Sequence, residues 1–88
     1  MTEQQLLDLL RKAVATVLEV DPAGLSRDTR FKDDLRADSL ALVEIVEIVE
    51  EDLTRESPGF RIEDERLDDL LTLGDAVDYA LTRLAARL

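Results

Sequence analysis

The 88-residue chain has no cysteine, no histidine and no tryptophan. Without cysteine there is neither a disulfide framework nor a thiolate metal site. Without histidine the common zinc constellations and every His-based catalytic triad are excluded. Aromatic side chains are limited to Phe31, Phe60 and Tyr79, so the core must be aliphatic. No apolar run approaches the ~18 residues of a membrane span. The start, MTEQQLLDLLRK, lacks the basic n-region and small-residue cleavage site of a signal peptide, so a cytoplasmic protein is expected. Positive charge is also scarce. Eleven Lys+Arg stand against twenty-one Asp+Glu, a formal charge of −10 at pH 7. Phosphate contacts need Lys and Arg, so nucleic acid is not an expected partner, whereas a protein with a basic surface is. A dedicated metal site is not expected either. Glu63-Asp64-Glu65 and Asp68-Asp69 cluster, but no stretch fits a calcium loop. The expectation is a protein without catalytic chemistry of its own.

What is present is a chain that is 45% apolar, dominated by Leu, Val, Ile and Ala. That is too rich for a disordered chain of this charge. The length fits one domain over residues 1–88, and the composition suits a small helical bundle, expected as a monomer. Leu6, Leu10, Val14, Val17 and Leu18 trace one face of a helix over about 2–20, with Thr2 as N-cap and Pro22 as the stop. Residues 21–38 break the pattern with Pro, Gly, Ser, Asp and Thr. Leu25, Phe31 and Leu35 are spaced there as separate anchors of a long ordered loop.

Ser39 to Leu53, SLALVEIVEIVEEDL, is read as a helix despite its β-branched residues. At helical spacing Glu44, Glu47 and Glu51 stay on one side, and Val46, Val49 and Leu53 on another, with Leu42 and Ile45 widening the buried face. Pro58-Gly59 marks a turn, with Phe60 and Ile62 as anchors. Residues 64–71 read as one or two helical turns. Thr72 and Asp75 form a capping-box pattern ahead of a final helix in which Val77, Leu81, Leu84 and Leu88 recur at four, three and four. The fold class is therefore all-α: three main helices, one short helix, and a long loop between the first and second.

Ser39 is singled out by its place, between the long loop and the acidic helix. Asp and Ser are both preferred N-caps, so Asp38-Ser39 can be no more than a helix start. The alternative is that Ser39 accepts a transferred group. No histidine exists to activate it as a nucleophile, but a phosphate ester there would lie at the positive end of a helix.

Leu35-Arg36-Ala37-Asp38-Ser39-Leu40 resembles the Leu-Gly-Ala-Asp-Ser-Leu signature of acyl carrier proteins. Phe31-Lys32-Asp33-Asp34-Leu35, Leu42-Val43-Glu44-Ile45-Val46, Glu50-Glu51 and Thr72-Leu73-Gly74-Asp75-Ala76-Val77-Asp78-Tyr79 are similar to further family patterns. The resemblance implies that Ser39 receives 4′-phosphopantetheine from coenzyme A through a separate phosphopantetheinyl transferase. Acyl groups then ride on the thiol of that arm as thioesters. It implies that Asp38 serves transferase recognition, and that Leu40, Val43, Glu44, Glu47 and Glu50 form the docking face. The partners there would be ketosynthases, acyltransferases, reductases and similar enzymes with basic patches. Phe31, Ile45, Val46, Val49 and Leu81 would line an acyl-sequestering cleft.

Three positions depart from the family. Arg36 stands for the usual glycine, from which a loop without positive φ is expected; it also sets a cation close to Asp38 and Ser39. Glu47 stands where an apolar residue is common, and Thr54 to Phe60 resembles an insertion. These departures favour a specialised or secondary-metabolic system. A peptidyl or aminoacyl carrier and a non-carrier helical adaptor capped by Ser39 are the competing readings.

Overall fold

A computed structural model describes residues 2–55 and 69–86. In chain order it contains α1 (Glu3–Leu18), a 3-10 turn (Pro22–Gly24), α2 (Ser39–Leu53) and α3 (Leu73–Ala86). Among the described residues there is no strand beyond one isolated bridge, so the fold is all-α as expected. The expected Pro58-Gly59 turn, the anchors Phe60 and Ile62, residues 64–68 of the expected short helix, the Glu63-Asp64-Glu65 cluster and Leu88 lie outside the described residues.

α1 begins where the sequence places its start. Thr2 accepts from the Gln5 N–H (3.2 Å), and the Gln5 side chain accepts from the Thr2 N–H (2.9 Å), a reciprocal cap on two otherwise unsatisfied donors. The helix ends two residues short of the expected Val20, because Glu19 adopts left-handed backbone at φ 56°. Pro22 opens the 3-10 turn at its first position, where a missing N–H is harmless, and Asp21 caps that turn through the Ala23 N–H (2.9 Å).

Both α2 and α3 pack on α1. α1 contributes Leu6, Leu10, Ala13 and Val14, the expected stripe. α2 contributes Leu42, Ile45, Val46, Val49 and Leu53, the face assigned to it by period. Each such side chain contributes about 1.5–3 kcal/mol on burial, enough to hold a β-branched helix of modest propensity. α3 differs from its sequence reading. Its buried side chains are Leu73, Ala76, Val77 and Ala80, while Leu81 and Leu84 are only half-buried at the core's edge. Two alanines one turn apart let α3 come close, and the leucines are displaced outward. The Thr72–Asp75 capping box forms as expected: Asp75 N–H to Thr72 Oγ1, and Thr72 N–H to Asp75 Oδ2, both 3.1 Å.

The long loop is ordered, and four devices hold it. Leu25 and Phe31 are buried anchors, Phe31 at 2% exposure, whereas Leu35 is half-buried. Residues 27–31 run antiparallel to 71–74. Phe31 N–H donates to the Leu71 carbonyl (3.0 Å), Leu73 N–H to Thr29 (3.0 Å) and Gly74 N–H to Arg27 (2.9 Å). Third, the Arg27 guanidinium ties the loop to both α1 and α3. Nη2 donates to the two Asp78 oxygens (3.0 and 2.9 Å) and Nη1 to Glu3. The hydrogen bond to Asp78 raises the Arg27 pKa above its ordinary value. On the far side, Arg11 donates twice to the Pro22 carbonyl (3.1 and 2.7 Å), fixing the loop's departure from α1.

Candidate functional site

Residues 30–37 bring the chain to the start of α2 by imitating the end of a helix. Leu35 N–H donates to the Arg30 carbonyl (3.1 Å), Arg36 N–H to Lys32 (3.0 Å) and Ala37 N–H to Phe31 (2.8 Å). Nested bonds of this kind close through a left-handed residue, and that residue is Arg36, at φ 53°. The expectation that the loop needs no positive φ is therefore wrong. The backbone keeps the conformation that a glycine would favour, and an arginine adopts it. Arg30 braces the same turn from outside, with Asp33 (3.4 Å) and Asp34 (3.2 Å) on its guanidinium and its own N–H on Asp34 Oδ2 (2.8 Å). Those hydrogen bonds hold the Asp34 carboxyl below the usual carboxylate range and raise Arg30.

Ala37, buried at 5%, pins the turn to the core and leaves the next three residues exposed. Asp38 is the N-cap of α2. Its backbone is extended, and its Oδ1 accepts from the Ala41 N–H at 2.8 Å. Ser39 is already helical, the first residue of α2. This corrects the reading in which Ser39 serves only as the cap: the capping is done by Asp38. The Ser39 hydroxyl is exposed and takes no hydrogen-bond partner among the described residues. The N–H groups of Ser39 and Leu40 likewise find no acceptor there. The result is a free hydroxyl and two free donors at the positive end of a four-turn helix.

Along α2, Leu40 is 68% exposed, an unusual position for a leucine at a helix start. Glu44, Glu47 and Glu51 are exposed on the same side, one turn apart, and Val43 and Glu50 are half-buried beside them. The expected docking residues are thus brought together on one outward strip running from Ser39.

Behind that strip, an apolar cavity lies between the helices, with room for only about 20 Å³, close to one water molecule. Phe31, Ile45, Val46 and Val49 line it as expected. Leu81 does not; α3 supplies Ala76, Val77 and Ala80 instead. The sequence reading also missed Leu6 and Leu10, whose place on the buried stripe of α1 was the available signal, together with Leu42 and Leu70.

The arrangement matches known proteins over most of the chain. The family model described as a phosphopantetheine attachment site matches residues 8–80. An acyl carrier protein of Exiguobacterium sp. (strain ATCC BAA-1283 / AT1b) is 41% identical over 86 residues, covering 96% of this chain and all of its relative. One from Thermosynechococcus vestitus is 34% identical over 86 residues, covering 98% and 100%. Among solved structures, an acyl carrier protein from Enterococcus faecalis superposes with a TM-score of 0.72 at 29% identity, covering 94% of this chain and 99% of the other. Length, helix order and family model all agree, and the chain belongs to the acyl carrier protein family, whose cofactor is phosphopantetheine.

Proposed function

We propose that Ser39 is the attachment point of the 4′-phosphopantetheine arm, and that the chain delivers acyl groups to enzymes of a fatty-acid, polyketide or related secondary-metabolic pathway. The observation that carries this reading is the division of work at the start of α2. Asp38 caps the helix, so the Ser39 hydroxyl is exposed and chemically free. The residues fit the group: a phosphodiester on Ser39 would meet the unpartnered Ser39 and Leu40 N–H groups and a favourable helix dipole. The arm supplies a thiol, which holds acyl groups as thioesters. In a chain without cysteine no side-chain thiol competes with it.

The protein's own contribution is position. The turn at 30–37 and buried Ala37 fix where Ser39 stands, and the strip of Leu40, Val43, Glu44, Glu47 and Glu50 offers apolar and acidic groups to a basic partner surface. The phosphopantetheinyl transferase and the acyl-processing enzymes are those partners. The cavity lined by Phe31, Ile45, Val46 and Val49 is the place for an acyl chain, and it must widen from about 20 Å³ to admit one. A cytoplasmic monomer is part of the same proposal. Among the described residues no helix is long and apolar enough to cross a membrane.

The test is the intact mass after incubation with coenzyme A, magnesium and a broad-specificity phosphopantetheinyl transferase. Wild type should gain one phosphopantetheine increment and Ser39→Ala none. An unmodified wild type with its helical circular dichroism intact, or a modified Ser39→Ala, would overturn the assignment.

A further inference from the structure

Arg36 is an anomaly on two counts. Its backbone is left-handed at φ 53°, where a Cβ is disfavoured and glycine is the usual solution. Its side chain is an exposed cation on a molecule of charge −10, yet it forms no ion pair among the described residues. Of the carboxylates that flank it in sequence, Asp33 and Asp34 pair with Arg30, while Asp38 accepts the Ala41 N–H on Oδ1. A strained residue with an idle charge invites a functional explanation.

Arg36 lies three positions before Ser39, and Ala37 between them is buried, so the intervening backbone is held by the core. Three residues of chain span at most about 10 Å, within the combined reach of an arginine side chain and a serine phosphoester. An anion placed on Ser39 would add a second negative charge, beside Asp38, within that reach. A guanidinium matches the oxygen geometry of phosphate through paired N–H donors.

We propose that Arg36 is a phosphate-binding residue for the arm on Ser39, its guanidinium pairing with the phosphodiester and biasing the arm towards the 30–37 turn. This rests on the reading of Ser39 given above. Lys32, an exposed cation one turn earlier, adds to the local positive field.

The test uses the loaded, full-length protein and reads the phosphate directly by 31P NMR, together with the Arg36 Nε–Hε signal in 15N-labelled material. Loading should shift the Nε–Hε signal. The 31P resonance should move as salt rises from about 0.01 M to about 1 M, over which the Debye length contracts from ~30 to ~3 Å. Arg36→Gln should lose the salt response, Arg36→Lys should restore most of it, and Lys32→Gln should keep it. Arg36→Gly should lose it while melting several degrees higher, since glycine relieves the left-handed backbone. That opposition separates phosphate binding from a structural role. Coincident 31P spectra for wild type and Arg36→Gln at low salt, an Nε–Hε signal unmoved by loading, or no rescue by lysine would each overturn the proposal while leaving Ser39 as the carrier site. A wild type that takes no arm would overturn both.

Discussion

Replacing Asp38 by Ala removes the acceptor for the Ala41 N–H at 2.8 Å and should destabilise the protein by about 1 kcal/mol. In a domain of this size that is a fall in Tm of about 4–8 °C. Ser39→Ala removes a hydroxyl bonded to nothing described, so it should stay within about 0.5 kcal/mol of wild type. Thermal melts of the two variants side by side check this, and an equal loss in Ser39→Ala would show that serine shares the capping. At this scale the sequence was legible in residue type but not in backbone state. Asp38 and Ser39 are both capping residues, and only the extended φ and ψ of Asp38 identify which one caps. Arg36 misled for a related reason. A missing glycine suggests a missing requirement for positive φ, whereas the nested bonds of 30–37 impose that φ on whatever residue stands there.

Among the elements, the pairing of 27–31 with 71–74 sets how tightly α3 can approach the loop. A Cβ on Gly74 would meet the Arg27 carbonyl oxygen at 3.0 Å and the Arg27 Cβ at 3.2 Å. The oxygen cannot retreat without stretching the 2.9 Å bond it accepts from the Gly74 N–H. Gly74→Val is therefore expected to cost about 2 kcal/mol by overpacking. It should also speed hydrogen exchange at the Phe31 and Leu73 amides, which belong to the same ladder. Unchanged protection at both amides would mean that the loop moves aside freely. The helices themselves were readable, because hydrophobic period and capping residues are local signals: Thr2, Thr72, Asp75 and the α2 stripe all sit where spacing places them. The ladder was not readable. Its donors and acceptors are main-chain groups, common to every residue, and Arg27 carries no sign in the sequence that its partners are Glu3 and Asp78. The outward shift of Leu81 was hidden likewise, since period alone cannot tell whether leucines or alanines of one helix face the core.

For the molecule as a whole, the charge of −10 makes long-range attraction to basic surfaces the dominant electrostatic property. Glu44 is exposed on the strip that runs from Ser39. Glu44→Lys should slow loading by the transferase at low salt, chiefly through the association rate, and the gap from wild type should close as salt screens both. Initial loading rates at graded sodium chloride measure this; equal rates at low salt would remove Glu44 from the docking face. The ladder between 27–31 and 71–74 has one more consequence, in time. Its bonded residues lie roughly forty or more positions apart, and closing so long a loop carries an entropic penalty that local helix contacts escape. The pairing is therefore expected to form after the individual helices, whose contacts are local. Changes within it should mainly hasten unfolding and leave the folding rate nearly untouched.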